Sequence, residues 1–124
     1  MAGADERRCF VLDRVAGQLE RYMDLLSARQ KLVASNVANA DTPGYRTQDI
    51  DFESELRSAA GGPARAIDAQ GLVAKNDGNN VSLDREARLL SENALRFQIA
   101  SGLMRSELKV MRMAIEEGSN FVNA

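Results

Sequence analysis

The chain has 124 residues, of which 44% are hydrophobic, 27% charged and only 5% aromatic, a balance that suits one domain built by helix packing. Its net charge of −2 gives no basic excess for nucleic-acid binding, and the absence of histidine removes the usual general base and the commonest metal ligand. The single cysteine, Cys9, excludes an internal disulfide.

The first segment, from about 10 to 40, has the period of a long helix. Steps of four and three residues from Leu12 reach an apolar side chain at every position except Gln30. This heptad seam predicts a coiled-coil-like helix that is roughly 45 Å long at about 1.5 Å per residue. The larger residues of the predicted seam are Leu12, Leu19, Met23, Leu26, Val33 and Val37.

A turn follows this helix. Pro43 disfavours helical geometry at the residue before it, and the sequence Thr42-Pro43-Gly44-Tyr45 predicts a type II turn with a positive φ at the glycine. Asn36 and Asn39 lie just before the turn, where an asparagine is a mediocre helix former. Their side chains bind the turn backbone, fix register across an interface, or face solvent. The sequence leaves these alternatives open.

The middle of the chain lacks helical periodicity and is too polar and glycine-rich to carry its own core. Alternation over 48–52 predicts a short strand, and 52–56 suits a helical turn. A flexible loop is expected over 59–64 and a second strand over 69–74. The sequence Asn-Asp-Gly-Asn-Asn at 76–80 predicts a tight turn.

The second periodic segment begins at Ser82, a favourable N-cap, and acidic residues follow in its first turn. Steps of four and three from Leu83 reach an apolar side chain everywhere except Ser101. The pattern predicts a helix of roughly 50 Å that ends at about Gly118. The larger residues of this seam are Leu83, Leu90, Phe97, Met104, Leu108, Met111 and Ile115.

These patterns predict a mainly α fold in which the terminal helices pair as an antiparallel coiled-coil-like hairpin. We expect an N-terminal helix in 1–42, an irregular or short-stranded middle in 43–80 and a C-terminal helix in 81–124. A second apolar row remains once each seam is covered. This predicted second-row interface consists of Val11, Leu25, Leu32, Leu89, Leu103 and Val110. A partner surface is favoured for it, and coverage by the middle segment is the alternative.

Two patterns that could carry chemistry are weak. Asp49 and Asp51 could share one strand face, and a small hydrolase using this pair is the enzyme alternative. No nucleophile–base pair accompanies them, so exposed strand acids are the favoured interpretation. The segment from Asp77 fails the calcium-loop pattern because its sixth and twelfth positions are Ser82 and Arg88. We therefore predict no catalytic residue, metal ligand, cofactor or small-molecule substrate.

The segment 35–52 resembles the N-terminal motif of the bacterial flagellar axial proteins, the rod and hook family. The residues that carry this resemblance are Asn36, Asn39, Thr42, Pro43, Gly44 and Tyr45. Within that family, the sequences at 49–52 and 76–86 are similar to the proximal-rod type. Two motifs in the same order, each beside a helix, make the resemblance specific.

The resemblance implies a structural subunit of the proximal rod of the flagellar basal body, not an enzyme. Such a subunit polymerises through its terminal helices into a rod that transmits torque and encloses the export channel. The implied partners are other copies, other rod subunits, proteins at the junction of the basal-body ring with the export gate, and the flagellar type III export apparatus. No nucleic-acid partner is implied.

The implied location is the periplasmic rod, reached without cleavage of a signal peptide. In agreement, no apolar run follows the charged N-terminus and no stretch is long enough to span a membrane. A small helical export chaperone or adaptor and a sibling rod subunit are the remaining alternatives. The turn motif disfavours the first of these and the 76–80 segment disfavours the second.

Overall fold

The computed structural model describes residues 2–58 and 61–122. Two long helices flank a short middle that contains one small helix and two short strands, as the sequence predicted. In chain order the elements are α1 (Ala2–Ala38), β1 (Gln48–Ile50), α2 (Phe52–Arg57), β2 (Ala66–Asp68) and α3 (Leu83–Val122). No helix in these ranges is both long and apolar enough to cross a membrane.

The long helices pack antiparallel along their lengths. Asn36, near the end of α1, contacts Glu86 in the first turn of α3. At the other end of the hairpin, Val110 of α3 lines a groove with Val11 and Leu12 of α1. The apolar core of the described residues comes from both helices and from the middle segment, with Leu25, Leu26, Val33, Ile50, Val81 and Ala100 buried.

The face of α3 that packs on α1 differs from the predicted one. Within residues 83–120 of α3, the buried positions are Glu86, Asn93 and Ala100, at seven-residue spacing. The apolar row that starts at Leu83 lies on a flank of the helix instead. The bond between Glu86 and Asn36 fixes the rotation of α3, because a buried carboxylate must keep its partners. Small or polar residues thus occupy the contact row, and the larger apolar ones remain outside it.

The individual seam positions follow from this rotation. On α1, Leu26 and Val33 are buried, Leu12, Leu19 and Met23 are half-buried, and Val37 is exposed. On α3, Met104 and Met111 are half-buried, and five residues are exposed, namely Leu83, Leu90, Phe97, Leu108 and Ile115. Of the second row, Leu25 is buried within the chain, Leu32 and Leu89 are half-buried, and Val11, Leu103 and Val110 are exposed.

The strands form one antiparallel pair in which Asp49 lies opposite Ile67. The second strand was predicted at 69–74 but lies at 66–68. Gly71 has a φ of 75°, so the extended backbone cannot continue through it. The helical turn predicted at 52–56 is confirmed as α2, and Asp51 caps it by accepting a hydrogen bond from the Ser54 backbone N–H at 3.2 Å. The loop predicted at 59–64 includes residues 59 and 60, which lie outside the described residues.

The ends of α3 agree with the sequence prediction at one side only. Ser82 is the N-cap, since its Oγ accepts a hydrogen bond from the Arg85 backbone N–H at 3.3 Å. The helix does not stop at Gly118 but continues to Val122. A glycine lowers helix propensity without breaking a helix, so the predicted end was wrong. Residues 123 and 124 lie outside the described part of the chain.

Candidate functional site

Asn36 is the centre of a buried polar cluster where α1, β1 and α3 meet. Its Oδ1 accepts hydrogen bonds from the Gln48 backbone N–H and the Tyr45 hydroxyl, each at 3.0 Å. Its Nδ2 donates to the Gln48 carbonyl at 2.8 Å and to Glu86 Oε2 at 3.2 Å. These four bonds use the full capacity of the amide. Asn36 is therefore bonded to the backbone after the turn and to α3, and is not solvated.

The turn after α1 has the predicted type II geometry. The Tyr45 backbone N–H donates to the Thr42 carbonyl at 3.2 Å, and Gly44 has a φ of 74°. Asn39 closes the helix end, because its Nδ2 donates to the Ser35 carbonyl at 2.8 Å while its Oδ1 accepts from the Thr42 hydroxyl at 3.1 Å. Of the two asparagines that precede the turn, Asn39 thus acts locally, whereas Asn36 joins separate elements.

The turn at 42–45 and the turn at 76–80 are packed against each other. Asn79 is buried, and its Nδ2 donates to the Asn39 and Thr42 carbonyls at 2.9 and 2.8 Å. Each of these carbonyls also accepts a backbone N–H, from Thr42 and Tyr45 respectively, so the Asn79 amide adds a second hydrogen bond to each. The Gly44 backbone N–H donates to the Asp77 carbonyl at 2.9 Å. The two sequence motifs, which are more than thirty residues apart, therefore form one structure.

Four charged side chains extend this cluster across the hairpin. Arg29 of α1 holds both carboxylate oxygens of Asp49, with Nε–Oδ1 at 2.9 Å and Nη2–Oδ2 at 3.0 Å. Arg85 of α3 donates to Asp49 Oδ2 at 2.5 Å and to Glu86 Oε1 at 2.7 Å. We call Asn36, Arg29, Asp49, Arg85 and Glu86 the polar joint. It connects both long helices to β1 by charge-assisted hydrogen bonds.

Burial of the polar joint corrects the interpretation of its acids. Asp49 is nearly buried, whereas the sequence suggested an exposed strand acid. Glu86 lies in the first turn of α3, as the sequence predicted, and is completely buried. Asp51 does not share a site with Asp49, because it caps α2. Each of the two buried carboxylates, Asp49 and Glu86, contacts a guanidinium. Within residues 2–58 and 61–122, no three potential ligands of the His, Cys, Asp and Glu types group around a metal position.

Aromatic packing supports the joint from the side of α1. The rings of Tyr22 and Phe52 meet edge to face with centroids 5.3 Å apart. The guanidinium carbon of Arg29 lies 5.7 Å from the centroid of the Phe52 ring, within the range of a cation–π contact. The contact with Phe52 therefore helps to hold the Arg29 guanidinium in position beside Asp49. Sequence reasoning missed Arg29, Arg85 and Glu86, because each lies among other charges on an apparently polar helix face.

Asp49 is expected to make the stability of the protein sensitive to acid. Burial of the carboxyl opposes ionisation and is the largest single influence, but hydrogen bonds from Arg29, the Ile50 backbone and Arg85, with the Arg29 charge, together hold the pKa of Asp49 below 3.8. A lowered folded-state pKa gives stability that is complete above the unfolded pKa and is lost as the pH falls through the folded one.

We therefore expect Asp49→Asn to flatten the decline of the unfolding free energy below about pH 4. Urea denaturation at a series of pH values from neutral to strongly acidic checks this. Asp13→Asn, which changes an exposed carboxyl on α1, is the control and should keep the wild-type decline. Equal declines in all three proteins would show that the ion pairs of Asp49 add nothing to stability.

Comparison with known proteins places the chain within a family. The model of the family described as "Flagella basal body rod protein" matches residues 23–46, which contain the second half of α1 and the turn after it. A flagellar basal body rod protein FlgB of Salmonella typhimurium is 33% identical over 138 aligned residues, covering 88% of this chain and 100% of the relative. The chain belongs to the FlgB family of flagellar basal body rod proteins. By that membership it is a structural protein of the rod.

Other members of the FlgB family are more distant. The Escherichia coli K12 protein is 29% identical, and the alignment covers 88% of this chain and all of the relative. The Borrelia hermsii protein is 28% identical over 77% of this chain and 91% of the relative. The region matched by the family model includes Asn36, Asn39 and the turn at 42–45. In this FlgB family member, these residues form the turn after α1 and the hydrogen bonds that join the end of α1 to the middle segment.

Proposed function

We propose that the chain is a non-catalytic subunit of the proximal rod that polymerises through α1 and α3. The observation that carries the proposal is the apolar surface of α3. Five large apolar residues of one row are between 43% and 71% exposed, although the helix is already paired with α1. An exposed apolar row of this extent, on a helix hairpin that the polar joint holds at one end, suits packing between subunits. The members of this row are Leu83, Leu90, Phe97, Leu108 and Ile115.

In this proposal, 1–42 and 81–124 form the wall of the rod, and 43–80 supplies contacts outside it. The polar joint holds the two helices at a fixed register at one end of the hairpin. Close packing of helices from many subunits then resists twisting, because dense interiors transmit strain. The same packed wall encloses the channel through which later subunits are exported.

The proposal extends to how the subunit reaches the rod. It passes unfolded through the flagellar type III export apparatus without cleavage of a signal peptide, and it assembles on the periplasmic side. Its partners are other copies, other rod subunits and the proteins where the basal-body ring meets the export gate. The limited apolar core of the described residues, drawn from few large side chains, supports a monomer that unfolds readily for export.

A localisation experiment tests the proposed role. Cells that lack the gene for this chain should be non-motile and should yield basal bodies without a complete rod. The wild-type chain, returned on a plasmid, should sediment with purified basal bodies. Recovery of a stable soluble one-to-one complex with an exported protein, and its absence from basal bodies, would instead support the export chaperone alternative.

We expect Leu108→Asp to remove the chain from basal bodies and to abolish motility while leaving its cellular level unchanged. Leu108 is 55% exposed, so a charge there does not break the fold, but burial of that charge between subunits is strongly unfavourable. Immunoblots of whole cells and of purified basal bodies measure the two effects. Gln98→Asp, on the exposed outer side of α3, is the matched control. Normal motility with Leu108→Asp would show that this row is not a packing surface.

A further inference from the structure

The exposed apolar residues of α3 form two rows on opposite sides of the helix. The first row contains Leu83, Leu90, Phe97, Leu108 and Ile115, and the second contains Leu95, Ile99, Leu103, Val110 and Met113. Ile99 is nine residues from both Leu90 and Leu108. At about 100° per residue, this separation corresponds to half a turn. The face buried against α1 lies between the two rows, so α3 presents an apolar flank on each side of the hairpin.

The first row borders a groove that contains an unsatisfied polar group. The groove has a volume of about 390 Å³, and α1 contributes Leu26 and Gln30 to it. From α3 it is lined by Leu90, Asn93, Ala94 and Phe97. Asn93 is only 3% exposed, and neither its Oδ1 nor its Nδ2 has a hydrogen-bond partner among the described residues. A buried amide without partners is destabilising, so the groove suits an occupant that brings polar groups as well as apolar ones.

The second row has the shape of a ridge. Leu95, Ile99 and Leu103 follow one another at intervals of four residues and are 59%, 56% and 52% exposed. Rows with this spacing are the ridges that fit into the grooves of a facing helix. One side of α3 thus offers a groove, and the opposite side offers a ridge that could fill a groove of the same kind.

We propose that the groove at Asn93 and the first row of one copy receive the second-row ridge of another copy of the same chain. This inference rests on the proposed rod function and specifies the surfaces that assembly uses. A two-fold pair would bury one row in both copies and leave the other row exposed. A head-to-tail contact buries both rows in every copy except the terminal ones, and its repetition produces a ring or a helical array. The second copy is therefore the occupant that covers all of the exposed apolar surface of α3.

Two substitutions separate the surfaces. Leu90→Asp introduces a charge into the first row, and Ile99→Asp introduces one into the second. Sedimentation velocity of the wild-type chain should show concentration-dependent oligomers, and each variant alone should associate at least about tenfold more weakly, a change of about 1.4 kcal/mol. An equimolar mixture should form a dimer and no larger species, because each variant keeps the surface that the other has lost.

The control is Gln98→Asp, which adds the same charge next to Ile99 at an exposed position that belongs to neither row, and it should associate like the wild type. Circular dichroism of every variant verifies that the helices are retained. A wild-type chain that stays monomeric, self-association of either variant at the wild-type level, or a mixture that does not form dimers would each overturn the head-to-tail contact.

A third variant tests the polar group of the groove. Asn93→Leu removes an unpaired buried amide, so it should raise the melting temperature of the monomer and, at the same time, weaken self-association about tenfold. An undiminished association would show that no neighbour binds Asn93.

Purified basal bodies distinguish a failure of the assigned surfaces from a failure of the proposed rod function. Absence of the wild-type chain from them contradicts the rod role itself, whereas normal incorporation of Leu90→Asp and Ile99→Asp contradicts only the assigned surfaces.

Discussion

Replacement of Arg85 by Met is expected to lower the free energy of unfolding by about 3 kcal/mol, because it leaves one buried carboxylate without a cationic partner and takes one of two such partners from another. Glu86 loses its only guanidinium contact among the described residues, and Asp49 keeps only Arg29. Methionine preserves most of the aliphatic volume of the arginine side chain. The expected loss therefore comes from uncompensated charge and not from a cavity.

Urea denaturation followed at 222 nm measures this loss under conditions where the protein is monomeric. Arg88→Met is the matched control, since Arg88 is exposed on the same helix, and its effect should stay within about 0.5 kcal/mol. A second change distinguishes the mechanism. Adding Glu86→Gln to Arg85→Met should recover part of the stability, because a neutral amide can still accept the hydrogen bond from Asn36. An unchanged midpoint in Arg85→Met would mean that the ion pairs are not stabilising.

The parts of the fold that depend on neighbouring residues could be predicted from the sequence. The turn at 42–45 follows from proline and glycine in adjacent positions, and the start of α3 follows from the capping capacity of Ser82. Both long helices follow from their apolar period, although α1 begins earlier and α3 ends later than the pattern indicated. In each case the deciding interactions span only a few residues.

The parts that depend on distant residues could not be predicted in the same way. Asp49 is buried only because Arg29 and Arg85 arrive from the two long helices, and nothing within its own strand indicates this. The rotation of α3 likewise depends on the bond between Glu86 and Asn36, which are fifty residues apart. A signal for the true contact row did exist. Glu86, Asn93 and Ala100 repeat every seven residues, but two of the three are polar, so the pattern does not read as a seam.

The polar joint and the apolar rows of α3 are physically connected. A different rotation of α3 would turn the row that starts at Leu83 toward α1 and would hide the surface that we propose for neighbours. The buried acid and amide of the contact row give less packing energy than leucines would, and the bond from Glu86 to Asn36 favours one arrangement of the hairpin. Buried polar contacts have a comparable effect on register in coiled coils, where one buried asparagine selects a single pairing.

The isosteric substitution Asn36→Asp should be at least as disruptive as the loss of Arg85. It replaces the Nδ2 donor, which lies 3.2 Å from Glu86 Oε2 and 2.8 Å from the Gln48 carbonyl, with an oxygen that has no proton to offer at neutral pH. Two buried carboxylates then face each other, and the expected loss of unfolding free energy is about 3–5 kcal/mol. Asn39→Asp is the control, because Asn39 is bonded to the Ser35 carbonyl and the Thr42 hydroxyl and no carboxylate is among its partners.

The dependence of this loss on pH identifies its cause. Repulsion from a neighbouring carboxylate raises the folded-state pKa of the carboxyl introduced at position 36, so the folded variant binds a proton there more tightly than the unfolded chain does. A raised folded-state pKa gives stability that is present at low pH and is lost as the pH rises through the folded value. The difference in unfolding free energy between Asn36→Asp and the wild type should therefore shrink as the pH falls from 7 toward about 4, because a protonated carboxyl at position 36 can again donate to Glu86.

Urea denaturation at intermediate pH values measures this difference in unfolding free energy. A loss that stays constant over that range would assign the defect to altered packing and not to the hydrogen bond between Asn36 and Glu86.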